Sequence, residues 1–459
     1  MRLIDRQRTG ILVSACFTQP PRVKPRFCKR AIHPPGWPFC AVWVILRQRG
    51  LVIVAAMESR RSWRIRLAVR AVRLVNATSR RLGRGSGTVM GGRAGLLIAP
   101  KILETVSRDR DIILVTGTNG KTTTSAMLRA GWGGEVAGND TGANMIQGHV
   151  AALCASNASR VVLETDESWM AVVISSLRPR VVVLLNLSRD QLDRANEVRR
   201  IALGWRECLA PETYGGVVVA NAGDPLVVFA ALEARHVRWV DVPSSWRDDA
   251  ASCPHCTRAI TFGDGEWSCE CGFSKPHVFR ASVGETLEIG GESFELGLAL
   301  PGSFNEVNAA LALTALAECG VEVETALRRL RTMTTVQGRY GLRGFRGHTL
   351  RLLLAKNPAG TAALLASLDP EDEVWIAINA QLADGRDPSW LYDVDFDNLK
   401  GHRVTCLGER RLDLATRLTY AGIDCTVVDE PESLQGQGSV TVVANYTAFR
   451  EWMGRSTPC

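Results

Sequence analysis

The stretch "DIILVTGTNGKTTTSAML", residues 111–128, limits what this chain can become more than any other. A mostly apolar run, a turn with glycines at 117 and 120, and a run of helical character read as strand, turn and helix. Backbone N–H groups of such a turn, set at a helix N-terminus, form an anion cradle that the helix dipole reinforces. Lys121 is placed to reach the outer phosphates of a nucleotide, and Thr122 to put its hydroxyl on Mg²⁺. The longer phosphate-loop pattern wants glycine at 115, where Val115 stands. This is therefore a shorter form: Gly117, Thr118, Asn119, Gly120, Lys121, Thr122 and then Thr123.

A strand that opens onto a nucleotide turn predicts an α/β fold with a parallel-type sheet. Apolar runs at 111–116, 160–165, 180–187 and 216–220 alternate with helical stretches, as buried parallel strands do. A second α/β block begins near 341, with strands expected in "TLRLLLA", "EVWIAIN", "HRVTCLG" and "SVTVVAN". A chain of 459 residues has room for two or three domains.

The net charge of +8 is unevenly placed. Residues 1–84 carry 19 Lys/Arg against two acids, Asp5 and Glu58, whereas the other 375 residues carry 36 bases and 45 acids. The body is mildly acidic, which argues against a nucleic-acid-binding protein with a basic face. Residues 1–56 are Pro- and Arg-rich, without steady period, and read as a disordered or mis-annotated extension with Met57 as the start. Its most apolar stretch, "CAVWVILRQRGLVIVAA", is broken by Arg47, Gln48 and Arg49, short of the ~18–20 apolar residues that a membrane span needs. Residues 57–100 form a basic amphipathic segment: Trp63, Leu67, Ala71, Leu74 and Val75 can share one helix face, with arginines opposite. Such a helix either packs on the body or rests on an anionic membrane surface.

Thirteen cysteines in so long a chain do not make a disulfide scaffold, and their scatter fits a reducing compartment. Four of them cluster as "CPHC", twelve residues, then "CEC": Cys253, Cys256, Cys269 and Cys271. Two close thiolate pairs suit tetrahedral Zn²⁺, and four thiolates leave no open position, so the expected role is structural. His255 inside the first pair reads as a bystander.

Three further groups carry possible chemistry. Glu164, in "VVLETDESW", ends a buried strand, where a carboxylate can hold Mg²⁺ against phosphates or simply cap a helix. Asn305 and Asn308, three apart at a helix start, can face one side, although Asn305 could equally be a plain cap. "INAQLADGRDPSWLYDVDFD" gathers Asp384, Asp387, Asp393 and Asp395 after a strand, a pattern that by itself reads as turn chemistry.

"VTGTNGKTTT", "LETDES", "NLSRDQLDR" (186–194), "NAGDP" (221–225), "GSFNEVNAALA" (302–312) and "QGR" (337–339) occur in the order seen in Mur ligases, which the chain resembles over about residues 57–455. "DQLD" in place of "DHLD", the four-cysteine insertion, "AKNPAG" (355–360) and "ADGRDPSW" (383–390) make it most similar to the MurT branch. The resemblance implies a central ATP-binding domain over 101–340 with a zinc ribbon inserted at 253–273, and a C-terminal Rossmann-like α/β domain over 341–459. It implies that Asn305 helps hold adenine and that Arg339 lies near the nucleotide. It also implies a carbon–nitrogen ligase with glutamine as amido donor, in which ATP and Mg²⁺ activate the α-carboxyl of D-glutamate in the lipid II stem peptide. Ammonia would come from a separate GatD-type glutaminase, to which Asp387, with Asp384 as second choice, would lend the acid of a Cys–His–Asp triad. A cytoplasmic enzyme, at the inner face of the plasma membrane, follows from that substrate. The competing expectation is a Mur- or folylpolyglutamate-type ligase that adds an amino acid. A nucleic-acid-binding zinc-ribbon ATPase would want a basic body, and a non-catalytic scaffold would not need Lys121, Thr122 and Glu164 together.

Overall fold

A computed structural model describes residues 49–459, apart from 83–86, 140–141, 190–197, 244–245, 337 and 459, with the backbone alone for 49–62. Residues 1–48, and the "DQLD" stretch at 190–193, thus lie outside the described residues.

The first sheet contains β1 (Asp111–Thr116), β2 (Val136–Gly138), β3 (Arg160–Glu164), β4 (Val181–Leu184), β5 (Val217–Asn221) and β6 (His236–Asp241), all parallel. A two-stranded ribbon, β7 (Thr261–Gly263) and β8 (Glu266–Ser268), interrupts it before β9 (Ala281–Val283), β10 (Leu287–Ile289) and β11 (Glu292–Phe294) complete nine strands. Their order is β11-β10-β9-β6-β5-β4-β1-β3-β2. After β1 the chain builds β2 and β3 on one side, then crosses to β4 on the other. The crevice at the carboxyl end of β1 is therefore a topological switch point, where ligands of open α/β sheets bind.

Both faces of this sheet are covered, which is why β4 reads Val-Val-Val-Leu and is fully buried. One core holds Leu153, Val173, Trp205 and Val227 from four helices on one face. The opposite core holds Met127 and Leu128 of the helix Lys121–Trp132, Leu327, and the helix Ser303–Glu318. Ala309, Ala310, Ala312 and Ala315 let that last helix lie close to the strands.

The second sheet contains β12 (Tyr340–Phe345), β13 (His348–Leu354), β14 (Glu373–Ala377), β15 (Arg403–Leu407), β16 (Cys425–Val427), β17 (Gly438–Ala444) and β18 (Thr457–Pro458). The order is β16-β15-β14-β17-β13-β12-β18, parallel from β13 to β16 with antiparallel β12 and β18 at one edge. The four apolar runs expected as strands here are β13, β14, β15 and β17. Short edge strands such as β16 and β18 carry too little apolar signal to stand out.

The helix Arg49–Arg81 docks through Ala68 and Val72, which are fully buried, together with Asn76. On the face that sequence periodicity picks out, Trp63, Leu67 and Leu74 point to solvent while Ala71 and Val75 are half-buried. The reason is steric: the next helix, Thr88–Ile98, brings Gly91 against Asn76 and Gly95 against Val72, an approach only small side chains permit.

Candidate active site

β1 ends at Thr116, and the chain turns through Gly117 (φ 143°) and Gly120 (φ 85°) into the helix Lys121–Trp132. A Cβ on Gly120 would lie 2.5 Å from Asn308 Oδ1, so only glycine closes the turn against that helix. The loop is gripped by the segment after β4. Thr118 Oγ1 donates to the Ser188 carbonyl at 2.9 Å and accepts the Ser188 N–H at 3.0 Å. The Asn119 N–H donates to Asn186 Oδ1 at 2.8 Å, and Asn186 Nδ2 returns a bond to the Asn119 carbonyl at 3.2 Å. The first N–H groups of the following helix have no intrahelical acceptor and remain for an anion.

Lys121 is folded back onto its own loop. It donates to the Gly117 carbonyl and, at 3.2 Å, to the Thr118 carbonyl, and it pairs with Glu167 at 2.9 Å. The Thr122 hydroxyl donates to Glu164 Oε2 at 2.9 Å and accepts from Arg339 Nη2 at 3.1 Å. A hydroxyl and a carboxylate this close, beside an anion cradle, are hard oxygen donors suited to Mg²⁺ carried by a nucleotide. Glu164 is held through its main chain: Asn139 Oδ1 accepts its N–H at 2.9 Å, and Asn139 Nδ2 donates to its carbonyl at 2.8 Å. His149 Nε2 lies 2.9 Å from the same carbonyl and 2.9 Å from Thr165 Oγ1. Burial lowers the His149 pKa to about 4 and keeps the ring neutral.

The cleft above this loop has three walls. One consists of Asn221, Asp224, Val242 and Trp246, one of Phe304, Asn305 and Asn308, and one of Lys356, Gly360 and Leu364 from the second sheet's side. Asp224 ties the first wall to the loop's support, accepting the Leu187 N–H at 2.7 Å and capping the helix Pro225–Ala231. Burial raises its pKa to about 6, against three N–H donors that pull it down. Asn305 and Asn308 are both buried and point together, with 3.4 Å between Asn308 Nδ2 and Asn305 Oδ1. The plain-cap alternative for Asn305 fails, because Gly302 occupies the cap position. Thr118 to Lys121, Asn305 and Arg339 therefore line one cleft, and Thr122 and Glu164 adjoin it through the bond from Arg339 to Thr122. Thr123 faces it too.

A second contact closes the cleft. The Asn119 and Asn357 amides exchange reciprocal hydrogen bonds at 3.2 and 3.1 Å. Asn357 is fully buried and caps the helix Pro358–Leu365 through the Gly360 N–H at 2.8 Å. Glu167, Asn139, His149 and Asn357 were not singled out from sequence. For Asn357 a signal existed, an Asn-Pro pair opening a helix. The other three are defined only by contacts across the fold.

The four sulfur atoms of Cys253, Cys256, Cys269 and Cys271 lie within 4.8 Å of one another, with Cys253–Cys271 at 3.7 Å and Cys256–Cys269 at 3.4 Å. Tetrahedral Zn–S bonds of ~2.3 Å place sulfurs about 3.8 Å apart, so the cluster has the size and donor set for one metal ion. His255 packs between Phe229 and Phe273, with ring centroids 4.9 and 4.8 Å away, and is not among the clustered donors. Trp267 Nε1 donates to the Ala222 carbonyl at 3.0 Å, fixing the ribbon to the cleft's first wall.

Asp384 and Asp387 are in opposite situations. Asp384 is buried, and its carboxylate takes the Thr447 N–H at 2.8 Å, the Thr447 hydroxyl, and the Gln381 N–H at 3.2 Å. Asp387 is exposed at the tip of its turn, where the Ser389 N–H at 2.9 Å holds its pKa below the usual carboxylate range. Asp393 approaches Arg189 at 3.4 Å, and Asp395 caps its own turn through the Asp397 N–H.

Comparison with known proteins gives a consistent picture. Residues 115–316 match the Mur ligase middle domain, and residues 354–449 match the MurT ligase C-terminal domain. A relative in Staphylococcus aureus (strain COL), named lipid II isoglutaminyl synthase (glutamine-hydrolyzing) subunit MurT, is 28% identical over 422 residues, 83% of this chain and 95% of that protein. The protein of that name in Streptococcus pneumoniae is 26% identical, over 81% of this chain and 92% of its own. Among solved structures, a pseudomurein peptide ligase type C from Methanothermus fervidus superposes with a TM-score of 0.60 at 19% identity, covering 78% of this chain and 80% of that one, a likeness of fold.

Proposed function

The chain belongs to the MurT branch of the Mur ligases, and from that membership we propose that it amidates the α-carboxyl of D-glutamate in the lipid II stem peptide. The γ-phosphoryl group of ATP passes to a carboxylate oxygen, giving an acyl phosphate and ADP. Ammonia then attacks the carbonyl carbon, phosphate leaves with that oxygen, and the attacking nitrogen sheds a proton to give D-isoglutamine. Lys121 leaves Glu167 for the transferring phosphoryl group, and the N–H groups of the loop hold the phosphates in place. Thr122 and Glu164 would hold Mg²⁺, which would supply positive charge against the phosphates. Asn305 and Arg339 orient the nucleotide.

The ammonia comes from a GatD-type glutaminase subunit. Asp387 is the acid that would orient that subunit's histidine, since Asp384 is already committed to Thr447. Zn²⁺ is the metal best suited to the four cysteines, and its part is structural. In this reading 57–100 form a basic N-terminal segment, 101–340 the ATP-binding domain, and 341–459 the domain that would meet the glutaminase. The work is done in the cytoplasm, at the inner face of the plasma membrane.

The observation that carries this reading is the carboxylate Asp387, exposed and ionised on a chain whose phosphate site is otherwise complete. Mass spectrometry of lipid II incubated with the chain, ATP, Mg²⁺ and ammonium tests it, with and without the glutaminase. A product lighter by the exchange of –OH for –NH₂ is expected, and glutamine should serve only with the partner present. A gain the size of an amino-acid residue would return the chain to the amino-acid-adding ligases.

A further inference from the structure

We propose that the outward face of the helix Arg49–Arg81 is a seat for an anionic lipid bilayer, an inference that rests on the membrane-linked substrate of the reading above. Trp63, Leu67 and Leu74 are 50%, 47% and 68% exposed. At ~100° per residue they fall within about 40° of one another on the helix. They form a straight apolar stripe rather than a scatter. Arg66 and Arg70 flank it on one side, Arg64 on the other, and Arg81 continues its line; all four are exposed.

The stripe is not a misplaced core. The same helix already docks through Ala68 and Val72, and Arg73 is committed to the Cys154 carbonyl at 2.6 Å. Three large apolar side chains are thus left facing water beside a complete packing face. The charge around them selects the occupant. From residue 59 to 103 the chain has eleven Lys/Arg and no Asp or Glu. A nucleic-acid duplex, whose bases are stacked inside, would meet the arginines but gain nothing from the aliphatic Leu67 and Leu74. An anionic bilayer satisfies both: the apolar stripe enters the boundary with the acyl chains, while the arginine stems lie alongside it with their guanidinium groups at the phosphates. No described helix is long and apolar enough to cross a membrane, so the contact lies on the surface.

The full chain is incubated with vesicles of phosphatidylcholine, with and without phosphatidylglycerol, and pelleted. Binding is expected only to the anionic vesicles, weakening as salt is raised. The variant Trp63→Ser/Leu67→Gln/Leu74→Gln, and separately Arg64→Glu/Arg70→Glu, should each lower vesicle partitioning by about 10-fold or more. Neither set lies in the nucleotide cleft, so melting temperature and ATP binding should hold. Equal partitioning of variants and parent, no binding of the parent, or retention on DNA rather than on vesicles would overturn the assignment. Amidation of a lipid-free stem peptide separates the two ideas. If the variants keep it, a failed vesicle result removes the seat and leaves the reaction. If the parent lacks it and also fails on lipid II while still binding vesicles, the reaction reading falls and the seat stands.

Discussion

The carboxyl end of β1 and the turn carrying Asp387 are both strand-end sites of α/β sheets, yet they are finished to different degrees. Around β1 the functional side chains are engaged by their own chain: Lys121 by Glu167, Thr122 by Glu164 and Arg339, the loop by Asn186, Ser188 and Asn357. At the second site Asp387 is stabilised by its own turn, with its surface turned to solvent. A pre-organised electrostatic site has its dipoles set before the reaction; the loop, Thr122 and Glu164 have that form, and Lys121 is the group that must turn from Glu167 to the phosphates. In the proposed reaction the second is half a site, which a glutaminase subunit would complete.

The sharpest way to break this contrast is to disable the finished site. Lys121→Ala should lower turnover by about 10³-fold or more with ammonium and with glutamine alike, because both depend on phosphoryl transfer. Retained turnover would remove the phosphate-loop assignment. Disabling the half-site should instead divide the two donors. Asp387→Asn is expected to reduce glutamine-supported amidation by about 10²-fold or more and to leave the ammonium rate unchanged. Equal loss with both donors would show that Asp387 belongs to the first site or to the fold.

A smaller effect concerns what supports the cleft. Stripping the metal from the four-cysteine cluster, or Cys269→Ser, should lower the melting temperature, since the ribbon anchors through Trp267 to the wall containing Asp224. A metal-free chain as stable as the parent would contradict this.

The smallest effect tests how tightly Glu164 is held. His149 has a folded pKa of about 4, below its ordinary value of 6.5, because the ring is buried. Its folded pKa is depressed, so between pH 6.5 and 4 the unfolded chain takes up a proton that the folded chain refuses, and stability falls as pH falls. Across that window the loss is up to about 3 kcal/mol, and none of it applies above pH 6.5. The His149→Gln variant should lack this part of the slope in pH-dependent melting; an unchanged slope would mean that His149 is not the titrating group.

How far these features could be read in the sequence follows from how local they are. The phosphate loop is set by one turn and two flanking elements, and "VTGTNGKTTT" contains all three. The cysteine cluster is also nearly local. Asn357 is another matter: its bond to Asn119 spans 238 residues, and only the meeting of two sheets brings the amides together. In sequence Glu167 is one more acid after Glu164, and its pairing with Lys121 emerges only from the turn that follows β3. The N-terminal helix shows a different limit. Periodicity locates an apolar stripe but not which face meets the body, and here the small residues Ala68 and Val72 docked while Trp63, Leu67 and Leu74 did not. In the acidic loop, Asp384 and Asp387 are alike in sequence and are told apart by Thr447, in the first turn of the helix Tyr446–Arg455, whose N–H Asp384 accepts.

The most direct test of the central claim is to follow oxygen. Lipid II carrying a heavy-oxygen label in the α-carboxyl of its D-glutamate would be converted with ATP, Mg²⁺ and ammonium, and the released phosphate analysed by mass spectrometry. Transfer through an acyl phosphate predicts one labelled oxygen in phosphate for every amide formed. Amide formation with unlabelled phosphate would contradict the account.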